Sequence, residues 1–205
     1  MLGIIDYGMG NLRSVYNALD YVGIDAEIVG EADRLEEYDR LILPGVGAFG
    51  LAMENLHLKK LVEPIRNHIA EGKPLLGICL GMQLLASRGS ESGDTPGLGV
   101  IDGTVVPMDD VKAYPLPHVG WNSLEIQRDH PIFAGVKKDI DFYFVHSFHF
   151  DVTDNSSVIG VTDYGRKYVT AVSKGSVVAF QFHPEKSQTG GITLLENFAN
   201  WDGKC

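Results

Sequence analysis

Up to about residue 87 the chain alternates short apolar runs with apolar stripes at helical spacing, and this alternation limits the fold more than any other feature. Leu2-Gly3-Ile4-Ile5 reads as a strand and Asp6-Tyr7-Gly8-Met9-Gly10 as a turn. Asn11 then stands where it can cap a helix carrying Leu12, Val15, Tyr16, Leu19 and Val22, with Gly23 as its stop. Ala26-Glu27-Ile28-Val29 is a second strand, and Leu41-Ile42-Leu43 a third, stopped by Pro44-Gly45. Leu58, Leu61, Val62, Ile65 and Ile69 form one more helical stripe, started or kinked by Pro64. Leu75-Leu76-Gly77-Ile78 is a fourth strand, leading into a helix with Met82, Leu84 and Leu85. Strands joined by helices imply a parallel sheet covered on both faces.

The second half is richer in strands. Candidates span 100–108, 119–126, 141–149, 157–162, 168–173 and 176–182, with a last helix over 192–201. The polar, Gly-rich stretch 87–99 reads as a surface loop. The expected fold is α/β: three layers around a mostly parallel sheet with an antiparallel extension. At 205 residues, positions 1–205 are expected to form one domain.

Charge and composition exclude several function classes. With 17 Lys+Arg against 27 Asp+Glu the net charge is −10, and the densest basic spots are dipeptides such as Lys59-Lys60 and Lys137-Lys138. Polyanion binding needs a basic face to displace counterions, so neither nucleic acid nor an anionic membrane is expected as a partner. No apolar run approaches the ~18 residues of a membrane span. Nothing basic precedes the short apolar stretch at the N-terminus, so no secretory signal is expected. Two cysteines, Cys79 and Cys205, do not make a disulfide scaffold, and a reducing cytoplasmic setting fits them.

Three segments carry chemistry. Gly77-Ile78-Cys79-Leu80-Gly81 lies between a strand and a helix. It is the thiol counterpart of the G-x-S-x-G elbow, in which flanking glycines permit a tight turn that lifts the central side chain above the sheet. The sulfur is then expected to face the surface at a helix N-terminus, which favours thiolate. The competing reading is a core cysteine between packing glycines. Phe180-Gln181-Phe182-His183-Pro184-Glu185-Lys186 ends a strand in His183, with Glu185 two residues on and on the same side if the chain stays extended. That is the order of a base and its orienting acid; the competing reading is a satisfied turn histidine. Leu43-Pro44-Gly45-Val46-Gly47-Ala48-Phe49 is a Gly-rich turn whose N–H groups could form an oxyanion hole with the Leu80 amide, or simply a tight connection. Gly8-x-Gly10 lacks the third glycine of a dinucleotide fingerprint, since position 13 is Arg13. His146 and His149 are three apart in one strand and fall on opposite faces, so no metal site is expected. No cofactor is expected either.

The segments around Cys79, with Met82 and Gln83, and Phe182-His183-Pro184-Glu185 resemble the class I, or triad, glutamine amidotransferases. Four further stretches narrow the resemblance to the glutaminase subunits of imidazole glycerol phosphate synthase. They are Asp6-Tyr7-Gly8-Met9-Gly10-Asn11, Pro44-Gly45-Val46-Gly47-Ala48-Phe49, Pro117-His118-Val119-Gly120-Trp121-Asn122 and Tyr143-Phe144-Val145-His146-Ser147-Phe148. The resemblance spans the chain and implies a flavodoxin-like sheet. It implies a catalytic triad of Cys79, His183 and Glu185, and an oxyanion hole from Leu80 and the Val46-Gly47 turn. Gly47, Gln83, Glu91, Val145, His146 and Ser147 match positions that hold glutamine, and Phe148 stands where Tyr is common. Ammonia is implied to pass to a (β/α)8-barrel cyclase, giving a heterodimer that makes imidazole glycerol phosphate and aminoimidazole carboxamide ribonucleotide in histidine biosynthesis. Asn11, Trp121, Asn122, Tyr143 and Lys186 match the subunit interface, against core packing for Trp121 and a solvated charge for Lys186. A glutaminase subunit serving surface-sugar amidation, a stand-alone γ-glutamyl hydrolase and a non-catalytic module are the alternatives. The intact set of Cys79, His183 and Glu185 argues against the last.

Overall fold

The computed structural model describes residues 1–109, 114–137 and 140–204; Cys205, and Lys138 of the Lys137-Lys138 pair, lie outside them. In chain order the elements are β1 (Leu2–Ile5), α1 (Leu12–Tyr21), β2 (Ala26–Val29), β3 (Arg40–Gly45), α2 (Phe49–Leu58), α3 (Val62–Ala70), β4 (Leu75–Cys79) and α4 (Leu80–Leu84). They continue with β5 (Ala86–Gly89), β6 (Thr95–Pro96), β7 (Ile101–Pro107), β8 (His118–Ser123), β9 (Glu125–Ile126) and β10 (Asp141–His146). The last are β11 (Phe148–Val152), β12 (Val158–Asp163), β13 (Lys167–Lys174), β14 (Val177–Phe180) and α5 (Gln188–Asn200).

Eight strands form one sheet in the order β2-β1-β3-β4-β14-β13-β12-β9. The first five are parallel, and β13, β12 and β9 add antiparallel. Alternate side chains feed opposite faces. Leu41, Leu43, Leu75 and Ala179 pack with Met53, Leu56 and Ile65 of α2 and α3. Ile42, Leu76, Val178 and Phe180 pack with Val15 and Leu19 of α1 and Leu194 and Phe198 of α5. The expected three layers, parallel sheet and antiparallel extension are therefore present. A four-stranded sheet, β11-β7-β5-β6, and the ribbon β10-β8 complete the chain. Among the described residues no helix is long and apolar enough to cross a membrane.

Several expectations are corrected. Asn11 occupies the N-cap of α1 but its side chain makes no capping bond, and Val22 falls just outside the helix. β3 runs on through Pro44 and Gly45, which pair with Ile78 and Cys79. Its ladder with β1 stops at Ile42, so the N–H that Pro44 lacks has no partner to lose. The stripe 58–69 splits: Leu58 closes α2 and is 73% exposed, while Pro64 lies in the first turn of α3, where its missing N–H is harmless. α2 itself was not anticipated, although Phe49, Ala52, Met53 and Leu56 hold helical spacing and are buried.

The stretch 87–99 is not a bare loop. It holds most of β5 and all of β6, and Leu98 is buried. The candidate strand 119–126 breaks at buried Leu124 into β8 and β9, which join different sheets. The candidate 141–149 breaks at Ser147, with β10 pairing β8 and β11 pairing β7. α5 begins at Gln188 rather than 192. Its early glycines hide the start, yet a Cβ on Gly191 would overlap the Pro184 carbonyl.

A Cβ on Gly81 of α4 would likewise overlap the Leu43 carbonyl oxygen of β3. Gly81→Ala is expected to cost about 3 kcal/mol, as forced overpacking against backbone does. Gly23→Ala, at φ +72° with open space around it, is expected to cost about 1–2 kcal/mol from backbone strain alone. Urea unfolding of both variants checks the ranking; equal midpoints would remove the close approach as a constraint.

Candidate active site

β4 and α4 meet at Cys79, the last residue of the strand and the N-cap of the helix. Its backbone sits at φ 54°, ψ −110°. A non-glycine residue held there stores roughly 1–3 kcal/mol of strain, which only over-determined surroundings maintain. The flanking glycines act differently from expectation: neither Gly77 nor Gly81 has positive φ, and each is needed because a side chain would strike its neighbours. The strain falls on the cysteine itself. Nor does the thiol face the surface, since Cys79 is 6% exposed and packs in the core beside α1 and α5. α4 has five residues, so the charge facing the sulfur comes from a side chain rather than from a long helix dipole.

That side chain is His183. β14 pairs parallel with β4, Phe180 opposite Ile78, so the residues after Phe180 arrive beside Cys79. His183 Nδ1 is 2.8 Å from Glu185 Oε1. Glu185 reaches back through a 3₁₀ turn, Pro184–Lys186, not through the extended alternation expected. Both side chains are almost completely buried. Burial works against the imidazolium, but the neighbouring Cys79 sulfur and Glu185 carboxylate push His183 up to about 10. His183 Nε2 has no hydrogen bond of ordinary geometry, and its electrostatic neighbour is the Cys79 sulfur.

A pocket of about 490 Å³ opens over the thiol. Its walls bring together Val46, Gly47, Cys79, Leu80, Gln83, Glu91, Val145, His146 and Ser147, which include every residue expected for the oxyanion hole and the substrate. Gly47 has φ +104° and Val46 is 40% exposed, and both line the pocket with Cys79. Glu91 Oε2 accepts the Phe49 N–H at 2.7 Å, which ties the pocket wall to the start of α2. His146 is held as a neutral ring: burial first, then the nearby histidines, push it down to about 3, although the Phe148 carbonyl opposes this. Its Nδ1 donates to that carbonyl at 2.8 Å, and its Nε2 faces His118 Nδ1 at 3.1 Å. His149 belongs to a different sheet and faces Arg166 and Tyr168. Among the described residues no group of three or more His, Cys, Asp and Glu is placed to hold a metal ion.

Of the residues expected at an interface, Trp121 and Tyr143 pair across β8 and β10 with rings 5.9 Å apart, and Lys186 Nζ lies 5.8 Å from the Tyr143 ring. Trp121 is 47% exposed, so core packing does not describe it. Asn122 is turned inward, donating to the Asp163 carbonyl at 2.8 Å. Asn11 is half-buried at the start of α1.

Sequence reasoning missed Gln181, Tyr7, Ala48 and Pro117. Ala48 and Pro117 line the pocket. Tyr7 is buried with an unpartnered hydroxyl, and burial followed by the charge of Cys79 pushes its phenol upward. Gln181 is fully buried and donates to Cys79 Sγ at 3.7 Å. The alternation Phe-Gln-Phe-His was a legible signal for it, since it puts Gln181 and His183 on one side.

Residues 3–201 match the model of the class-I glutamine amidotransferase family, and the chain belongs to that family. A solved structure described as a glutamine amidotransferase shares the fold at a TM-score of 0.76, with 24% identity and 98% of each chain covered. Within the family the chain groups with proteins named imidazole glycerol phosphate synthase subunit HisH. That of Symbiobacterium thermophilum is 47% identical over 97% of this chain and 91% of its own length. That of Aquifex aeolicus is 50% identical over 95% and 94%.

The raised His183 gives a direct check. A group that binds its proton more tightly when folded contributes stability that is complete below about pH 6.5 and lost as pH rises through about 10. Cys79→Ala removes the sulfur but leaves most of the burial. The His183 titration midpoint is therefore expected to fall by ~1 unit or more, read by NMR of the labelled ring. An unmoved midpoint would mean that the sulfur and the ring do not interact.

Proposed function

We propose that this chain is a glutaminase that hydrolyses glutamine to glutamate and ammonia, acting as the amidotransferase subunit of imidazole glycerol phosphate synthase in histidine biosynthesis. The observation that carries the reading is the buried row of Cys79, His183 and Glu185 under a pocket with Val46, Gly47 and Leu80 at its rim. Family membership supports the same reaction.

Cys79 attacks the carboxamide carbon as a thiolate, its proton having been taken by His183. Glu185 fixes the ring through Nδ1, so Nε2 is the atom that carries the proton. The Leu80 amide and the Val46-Gly47 turn receive the negative oxygen of the tetrahedral intermediate. His183 then protonates the leaving nitrogen, the C–N bond breaks, and ammonia departs from the γ-glutamyl thioester. Water, deprotonated by His183, attacks the thioester, releasing glutamate and restoring the thiolate. Gln83, Glu91, Val145, His146 and Ser147 hold the amino-acid end of the substrate. No cofactor enters any step.

The ammonia passes to a (β/α)8-barrel cyclase. On this chain the docking face includes Trp121, Tyr143 and Lys186, with Asn11 and Asn122 at its margin. A tunnel suits the chemistry because free ammonia is mostly protonated at neutral pH. Residues 1–205 act as one amidotransferase domain, in the cytoplasm.

Two measurements test this. Cys79→Ala should abolish glutamine hydrolysis while still binding the cyclase; hydrolysis near the wild-type rate would overturn the triad. Wild-type chain alone should turn over ~10²–10³-fold more slowly than in the cyclase complex with its nucleotide ligand, because one oxyanion donor is absent until the Gly45-Val46-Gly47 turn reorients. Equal turnover by the isolated chain would favour a stand-alone γ-glutamyl hydrolase.

A further inference from the structure

Gln181 lies directly beneath the nucleophile, and none of the steps above uses it. The register that sets Phe180 opposite Ile78 brings Gln181 alongside Cys79. Its backbone N–H is held by the Thr170 carbonyl at 2.9 Å, and its side chain is shut off from solvent. A buried amide can point either its oxygen or its nitrogen at the sulfur, and the two choices have opposite effects on a thiolate.

The surrounding hydrogen bonds leave one choice. The Phe148 carbonyl is an obligatory acceptor, so the Gln83 atom 3.2 Å from it must be the donor Nε2. The same Nε2 is 2.9 Å from Gln181, so the Gln181 atom it meets must be the acceptor Oε1. Gln181 Nε2 is then the atom facing Cys79 Sγ, at 3.7 Å. A backbone carbonyl in another sheet thus dictates, through two amides, that a donor faces the sulfur. Both N–H groups of Gln83 are consumed in doing so. What Gln83 has left for a ligand is an acceptor, its Oε1.

We propose that Gln181 is a positioning residue for the reaction: it holds an N–H against the Cys79 thiolate and fixes Gln83 as an acceptor in the pocket. An N–H donor favours the anionic sulfur over the neutral thiol. Gln181 touches no substrate; it acts through the sulfur on one side and through Gln83 on the other. The inference rests on Cys79 being the nucleophile.

The test is alkylation of the full chain by iodoacetamide across a pH series, read at Cys79 by peptide mass spectrometry so that Cys205 does not interfere. Gln181→Met fills similar space without a donor. It should slow Cys79 alkylation at neutral pH about tenfold, move its pH midpoint upward, and lower kcat about ten- to a hundredfold in the cyclase complex, as loss of a bond to a charged group does. Gln83→Met should slow alkylation less, because it only frees the Gln181 amide to turn. An alkylation profile of Gln181→Met that overlays wild type would overturn the proposal. If that variant does not fold, the wild-type protein still decides. The Gln181 side-chain NH₂ resonance should shift when Cys79 is alkylated, and an unmoved resonance would overturn the proposal. Full glutaminase activity in Cys79→Ala would instead refute the nucleophile assignment, a separate outcome.

Discussion

The site depends on one packing arrangement: β4 lies between two parallel partners, β3 and β14, in fixed register. Gly45 pairs with Cys79 on one side, and Phe180 with Ile78 on the other. Parallel pairing makes all three strands end at the same edge of the sheet, where α/β folds put their sites. The Val46-Gly47 turn, the Cys79 elbow and the segment from Gln181 to Glu185 are therefore delivered together from positions far apart in sequence. A slip of one residue in either ladder would turn the polar side of Phe-Gln-Phe-His into the core.

The elbow is held by contact rather than by flexible backbone. Gly81 and Gly77 let α4 close onto β3 and β14, and that closure confines Cys79 to a conformation it would not choose. Burial follows from the same closure. A thiol at the pocket floor beside a buried imidazole and carboxylate interacts with them more strongly than an exposed set would, because little solvent screens the charges. This is why His183 is pushed up despite the burial that opposes its charge.

The pocket wall comes from the smaller sheets. β10 and β11 are separated only by Ser147, and that break lets Val145, His146, Ser147 and Phe148 turn along the pocket while the strands on either side join different partners. The Phe148 carbonyl accepts from both His146 and Gln83, so the wall and the helix behind the nucleophile share one acceptor. On the same ribbon, exposed Trp121 meets half-buried Tyr143 beside Lys186. One two-stranded ribbon thus contributes Val145 and His146 to the pocket and Trp121 and Tyr143 to the surface beside Lys186.

The sequence alone determined the alternating architecture, because apolar periodicity is a local property, and it marked Cys79, His183 and the Val46-Gly47 turn, because each follows an apolar strand. It could not place the ends of β3, since whether Pro44 is tolerated depends on where a neighbouring ladder stops. It missed β5 and β6 within 87–99, because polar, Gly-rich strands of this kind pair only when another sheet receives them. Burial of the thiol, the strain at Cys79 and the turn that brings Glu185 to His183 were decided by tertiary packing. So was the orientation of Gln181, which depends on a carbonyl at Phe148. Hydrogen-bond direction is set by neighbours in space, and a sequence read along the chain does not contain them.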